Sequence, residues 1–275
     1  HSISLGYGLH SMIEQLDAYF FRNDDGTLAN KDLGLSKAHH FLATYMYKFT
    51  DNLNVRLNAY YQYGFNTPVG INGSTYCTVN RLFNYVDEPL VNKGNTRNYG
   101  ADLTVEHYMS KGFYGQLNFS YFKAEYRGLD KKWRNQLYDR GYMFKALGGK
   151  EWMMGKRKQN VFNVSAKYTL QGGLRHTPID VAAMKANVDA GMIDPEPIYK
   201  DDEAMSLRFN PISLVDLTVS FKINRKKVSH TIAFEGINIL QNETPYAQHY
   251  DFATGQIRDD KSGISLPNLY YRLDF

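Results

Sequence analysis

The chain has 275 residues, room for one large all-β unit or two modest domains, and a net charge of only +4 from dispersed basic residues. That dispersion argues against nucleic-acid binding, which needs clustered Lys and Arg. The lone cysteine, Cys77, excludes an intramolecular disulfide and a zinc site built on thiolates. Aromatic residues make up 15% of the chain, led by 22 Tyr and 16 Phe, a skew that favours pleated, half-buried strands.

No apolar run reaches the ~18 residues of a transmembrane helix. The mean hydropathy of −0.49 does not close the membrane question. In a barrel strand only alternate residues meet lipid, so the average conceals the apolar face. No signal peptide opens the sequence, and His1 to Gly8 already reads as mid-strand, so the protein is expected to begin upstream.

Taken in chain order, alternation of period two predicts ten strands, at 1–21, 36–49, 53–66, 96–109, 113–127, 139–153, 158–170, 206–224, 228–240 and 265–275. In the third, Leu53, Val55, Leu57, Ala59, Tyr61, Tyr63 and Phe65 alternate with Asn54, Arg56, Asn58, Tyr60 and Gln62. In the eighth, Leu217, Val219, Phe221 and Ile223 alternate with Asp216, Thr218, Ser220 and Lys222. These strands are about twice the usual 5–6 residues. Their connections alternate between tight turns (50–52, 110–112, 154–157, 224–227) and long loops (22–35, 67–95, 128–138, 171–205, 241–264). Short turns at one end and long loops at the other are the pattern of an up-and-down transmembrane β-barrel with the long loops outside the cell. One loop should hold a short helix capped by Asp180, with Val181, Met184 and Val188 on one face, ended by Gly191 and by Pro195 and Pro197.

The last strand runs Leu269, Tyr271, Leu273, Phe275 on one side and Tyr270, Arg272, Asp274 on the other. It resembles the C-terminal signal read by the outer-membrane barrel-assembly machinery, with Tyr271, Leu273 and Phe275 as its residues. Along the whole chain, segments resemble TonB-dependent receptors of the Bacteroidetes type. They include Leu33 to Phe41, Ala59 to Tyr63, Glu88 to Gly94, Arg97 to Gly100, Ser110 to Gly115, Gly148 to Glu151 and Arg175 to Asp180. Gly236-Ile-Asn238 resembles that family's penultimate strand and Tyr250 to Gly255 its last outer hairpin. No single motif is specific; their order and spacing are. The resemblance implies a barrel of about 22 strands around an N-terminal plug, in the bacterial outer membrane. It implies binding of a small-molecule substrate at the plug apex and outer loops, and coupling to TonB through an N-terminal box. Residues 1–275 would then be the C-terminal part of the barrel domain, with plug and box outside this chain. Ferric siderophore, haem, cobalamin, peptide and glycan all remain open as substrates.

Three sets of residues are candidates for a role. Arg56, Asp102, Glu106, Lys167, Asp216, Lys222, Glu235, Arg272 and Asp274 are expected to face a lumen, where their mixed signs set up no selectivity field. Tyr126, Trp133, Tyr138 and Tyr142, in and beside one outer loop, are the candidate solute-stacking residues; the other aromatics read as membrane-interface girdles. Adjacent His39 and His40 point to opposite faces of a strand, and His10, His107, His176, His230 and His249 are scattered, so neither a metal nor another cofactor is expected. No nucleophile elbow, phosphate loop or zinc-protease motif points to an enzyme. A passive porin or adhesin, a ten- or twelve-stranded outer-membrane enzyme, and a soluble tyrosine-rich sugar-binding protein are the rival readings.

Overall fold

The computed structural model describes residues 1–71, 73–81, 86–192 and 196–275. In chain order the elements are β1 (Ser2–Met12), α1 (Leu16–Tyr19), β2 (Ser36–Thr50), β3 (Leu53–Gly70), β4 (Leu90–Ser110), β5 (Phe113–Arg127), β6 (Trp133–Asn135), β7 (Tyr142–Met154) and β8 (Asn160–Gln171). There follow β9 (Arg175–His176), α2 (Val181–Asp189), β10 (Leu207–Arg208), β11 (Ile212–Asn224), β12 (Ser229–Ile237), β13 (Thr244–Asp251), β14 (Gln256–Ser262) and β15 (Leu266–Asp274). Ten of these strands form one antiparallel wall in the order β1-β2-β3-β4-β5-β7-β8-β11-β12-β15, and β6 joins it as a third partner of β5. Each wall strand pairs with the next wall strand along the chain, as an up-and-down sheet requires. The described sheet does not close: β1 pairs only with β2, and β15 only with β12.

Local chemistry explains the short ends of the hairpins. Between β4 and β5, Lys111 and Gly112 both take positive φ (51° and 83°), the pair of left-handed residues that a type I′ turn demands. A Cβ on Gly112 would sit 2.5 Å from the Glu151 carbonyl, so only glycine fits.

The wall has no dry interior of its own. Most buried apolar residues gather instead in small clusters among the long loops: Ala18, Val86 and Leu90; Val69, Cys77 and Tyr126; Leu137, Leu174 and Phe209; Ile179, Met184 and Tyr250. Burial pushes the Cys77 thiol up to about 12, so it stays protonated and inert.

The expected strands differ from the observed ones mainly at this rim. The first strand was expected to run to residue 21, but β1 ends at Met12 and Leu16–Tyr19 is helical. Ala18 packs into the first of these clusters, and Asp17 is ion-paired with Arg81, so tertiary contacts override the local pattern. β3 runs on to Gly70 and β4 begins at Leu90, through register shifts at Phe65, Thr67 and Pro68, which shorten the loop expected at 67–95. Residues 206–211 leave the wall, with Leu207–Arg208 pairing β9, and the loop expected at 241–264 is largely the hairpin β13–β14. The helix α2 forms where expected, and the Asp180 carboxylate accepts from the Ala183 N–H at 3.0 Å. Met184 is buried and Val188 packs beside it, but Val181 is 41% exposed and lies off that face. Pro195 lies outside the described residues.

Candidate functional site

Directly paired residues of an antiparallel ladder share a face. Following the register from strand to strand therefore divides the wall into two surfaces. One is apolar. Tyr7, Phe41, Tyr61 and Tyr99 form a row across β1 to β4 near the long-loop end. Trp152, Phe162, Phe221, Ile232 and Tyr271 form another across β7, β8, β11, β12 and β15 near the tight turns. Between these levels lie rows such as Tyr45, Leu57, Leu103, Phe119, Phe144 and Leu170. Leu5 is 82% exposed and Leu269 74% exposed on this face. From Leu53 to Tyr63 the strand rises about 33 Å, which a tilt of ~40° reduces to about 25 Å, the height of a barrel's lipid-facing band. Lys150 lies over the Phe113 and Trp152 rings at 4.1 and 5.2 Å, a cation reaching along aromatic neighbours at the lower boundary.

The opposite face is polar and carries every lumen candidate: Arg56, Asp102, Glu106, Lys167, Asp216, Lys222, Glu235, Arg272 and Asp274 all fall on it by register. Several are already partnered. Lys167 and Asp216 are ion-paired at 2.6 Å, and Asp216 also accepts the Asn238 N–H at 2.9 Å. Asn238 has a φ of 50° and exchanges hydrogen bonds with Asn242, closing the turn after β12. Arg272 pairs with Asp274, Glu235 accepts from Asn268, and Glu106 accepts from Gln116 and Tyr108. Asp216 thus anchors a turn, a structural task.

The aromatic candidates separate. Tyr126 is buried in β5, and its hydroxyl donates to the Thr75 carbonyl at 2.9 Å, pinning the loop after β3 to the wall. It is not on an accessible surface. Trp133 lies on the apolar side of the rim, with the Arg97 and Arg127 guanidiniums 4.2 and 4.9 Å from its ring. Tyr142 begins β7 opposite Tyr121 on that same side. Tyr138 alone lines the polar-face cleft of about 830 Å³, together with His10, His40, Tyr60, Gln62 and Asp102. The sequence reading missed one pairing there: the His10 and His40 rings are 4.4 Å apart, because His40 pairs with Gly8, one step along the same face from His10. Period-two parity shows that His10 and His40 could share a face; only the register shows that they meet. Among the described residues, no three potential ligands converge on a metal position.

The other constellation that the sequence concealed is centred on Asp139. Its side chain is fully buried and receives Arg175 at 3.0 Å, Arg208 at 3.2 Å and Lys123 at 3.3 Å, while its other oxygen accepts the Ala124 N–H at 3.0 Å. Arg175 and Arg208 face each other across β9 and β10, an arrangement of like charges that needs the carboxylate between them. Nearby, a two-pronged bond from Arg134 holds the Asp130 carboxyl below the usual carboxylate range. His176 stacks on Phe209 at 4.2 Å, and burial lowers its pKa.

Chains of similar fold are outer-membrane receptors and transporters. The ferric yersiniabactin uptake receptor FyuA of Yersinia pestis superposes with a TM-score of 0.60 at 10% identity, covering 99% of this chain and 34% of that one. The outer membrane transporter YddB of Escherichia coli gives 0.59 at 13%, covering 98% and 38%. P. aeruginosa FpvA, bound to a heterologous pyoverdine, gives 0.57 at 12%, covering 98% and 30%. This chain spans about a third of the length of each. No family model and no curated protein matches the sequence. The fold is that of the barrel wall of TonB-dependent outer-membrane receptors.

Proposed function

We propose that the chain is the C-terminal portion of the barrel domain of a TonB-dependent outer-membrane receptor, one that takes up a scarce small solute by energy coupling and performs no catalysis. The observation behind this reading is the two-faced wall: an apolar surface about 25 Å tall between aromatic rows, backed by a hydrogen-bonded polar surface. A soluble protein rarely leaves so large an apolar face uncovered. Lipid would meet the apolar face and water the polar one.

In this reading the edges of β1 and β15 pair with further strands of the same protein, because an unpaired edge in lipid leaves backbone groups unsatisfied at several kcal/mol each. A plug and a TonB-contacting segment would be supplied from outside residues 1–275. Tyr271, Leu273 and Phe275 would engage the assembly machinery, and the polar-face residues would line the solute path around the plug. Likeness in fold to siderophore receptors supports the class of protein and leaves the solute open.

The test is uptake by cells carrying the full-length protein, with its solute identified by growth selection. Uptake should stop on dissipating the inner-membrane potential or on deleting TonB. Uptake that survives both treatments would favour a passive porin.

A further inference from the structure

Above the aromatic row Tyr7-Phe41-Tyr61-Tyr99, the same lipid-facing surface changes character. The next row toward the long loops carries Arg97 and Glu125, and the one after it carries Arg127 opposite Trp133; Lys123 continues the aromatic row itself. Each step of two residues is about 7 Å along the strand. These cations therefore sit from the top of the apolar band to roughly 13 Å beyond it, at the depth of lipid headgroups.

Their charges are only partly balanced locally. Arg97 pairs with Glu125 at 2.5 Å. Lys123 reaches the buried Asp139, which Arg175 and Arg208 also share, and donates to the neutral Asn135 side chain. Arg127 donates to the neutral Asn95 side chain at 3.0 Å, lies over the Trp133 ring, and has no carboxylate within ion-pair distance among the described residues. Trp133 holds both guanidiniums at defined positions, so their remaining N–H groups are pre-placed rather than mobile.

We infer that Arg97 and Arg127, packed against Trp133, and Lys123 below them, on the outward side of β4, β5 and β6, bind a phosphate-bearing headgroup of an outer-leaflet lipid whose chains lie against Tyr61, Tyr99 and Tyr121. The chemistry is complementary at both ends. A phosphate offers the planar, multiply accepting anion that guanidinium prefers. Tyrosines at an interface present an apolar ring to the chains and a polar tip to the headgroup. A position inside the lumen is excluded by register, since all three cations share the face of Tyr61 and Tyr99. This inference rests on the membrane reading above and adds a specific lipid contact to it.

The test uses the full-length protein. Flotation with lipid vesicles first reports insertion. Native mass spectrometry from detergent then measures retention of a phosphorylated outer-leaflet glycolipid, the same lipid after dephosphorylation, and a zwitterionic lipid. The wild-type protein should retain the phosphorylated lipid preferentially, and Arg127→Gln should reduce that retention about fivefold. Glu125→Gln, which frees Arg97, should increase it, a change that general loss of structure would not produce. Inorganic phosphate at the same concentration should fail to compete, since it lacks the chains; effective competition would identify a free-anion site and overturn the lipid assignment. Equal retention of the dephosphorylated lipid, or no response to either substitution, would overturn it too. Failure to float would overturn the membrane reading and this contact with it, whereas flotation without lipid preference would overturn this contact alone.

Discussion

At the residue scale, most of the precise chemistry sits in the rim, where single side chains hold loops to the wall. Asp139 compensates three cations from three elements while capping the Ala124 N–H where β5 parts from β7. Removing the acid leaves three partly exposed cations crowded together without their counter-ion, a smaller penalty than the ~3–5 kcal/mol of a fully buried pair because water screens them. Asp139→Asn should therefore lower the temperature at which the barrel loses its heat-resistant mobility on gels; an unchanged temperature would mean that the cluster contributes nothing. His176 gives the rim a pH dependence. Burial depresses its folded pKa below the usual 6.5, and its Nδ1 has no partner. Between the folded and unfolded values the unfolded segment binds more protons, so stability is present above the unfolded pKa and falls as the pH drops toward the folded one. Amides of residues 174–177 and 207–209 should exchange faster at about pH 5 than at about pH 7.5, after correction for intrinsic rates. In His176→Phe that difference should vanish; a difference that persists would place the titration elsewhere. None of this was legible in the sequence. Asp139, Lys123, Arg175 and Arg208 lie far apart along the chain, and only the folded loops bring them together.

At the element scale, the sequence was far more informative, because strand parity is a local property. The alternation in residues 53–65 and 216–223 assigns faces that the register then carries across the wall without a break. What alternation cannot mark is where a strand stops being wall. Leu207–Arg208 and Trp133–Asn135 are strands of two or three residues with loop roles, and Leu16–Tyr19 turns helical under the pull of a buried cluster. Tyr126 shows the same limit for the aromatic candidates: its composition fits a stacking surface, but its ring is consumed in packing. Face assignment is directly testable on β11. Val219 pairs with Val164 and Phe234 on the apolar side, while Thr218 pairs with Ser165 and Glu235 on the polar side. A charge at mid-depth on the lipid side costs about 2–4 kcal/mol. Val219→Arg should sharply reduce the yield of assembled barrel, and Thr218→Arg should leave it near wild type. Equal yields would reverse or abolish the assignment.

At the scale of the whole molecule, the structure is a curtain of ten wall strands with an ordered rim and two free edges. Most of its buried apolar residues lie in the loop clusters, and the wall strands bury only a few small or end residues such as Ala124, Ile212 and Ala233. In the proposed membrane setting the wall therefore draws stability from lipid on one side and from neighbouring strands at each end. Hydrogen exchange at the edges tests that requirement most directly. In an antiparallel strand alternate amides point to each neighbour, so β1 and β15 each have one set bonded to β2 or β12 and one set pointing outward. In the proposed full-length receptor in detergent, both sets should be protected, each edge being paired with a further strand of the barrel. In the chain of residues 1–275 alone, held monomeric in the same detergent, the outward-pointing set of Ser2–Met12 and Leu266–Asp274 should exchange rapidly while the inward set stays slow. Full protection of both sets in the monomeric chain would mean that these strands close on themselves as a small complete barrel, and would contradict the account.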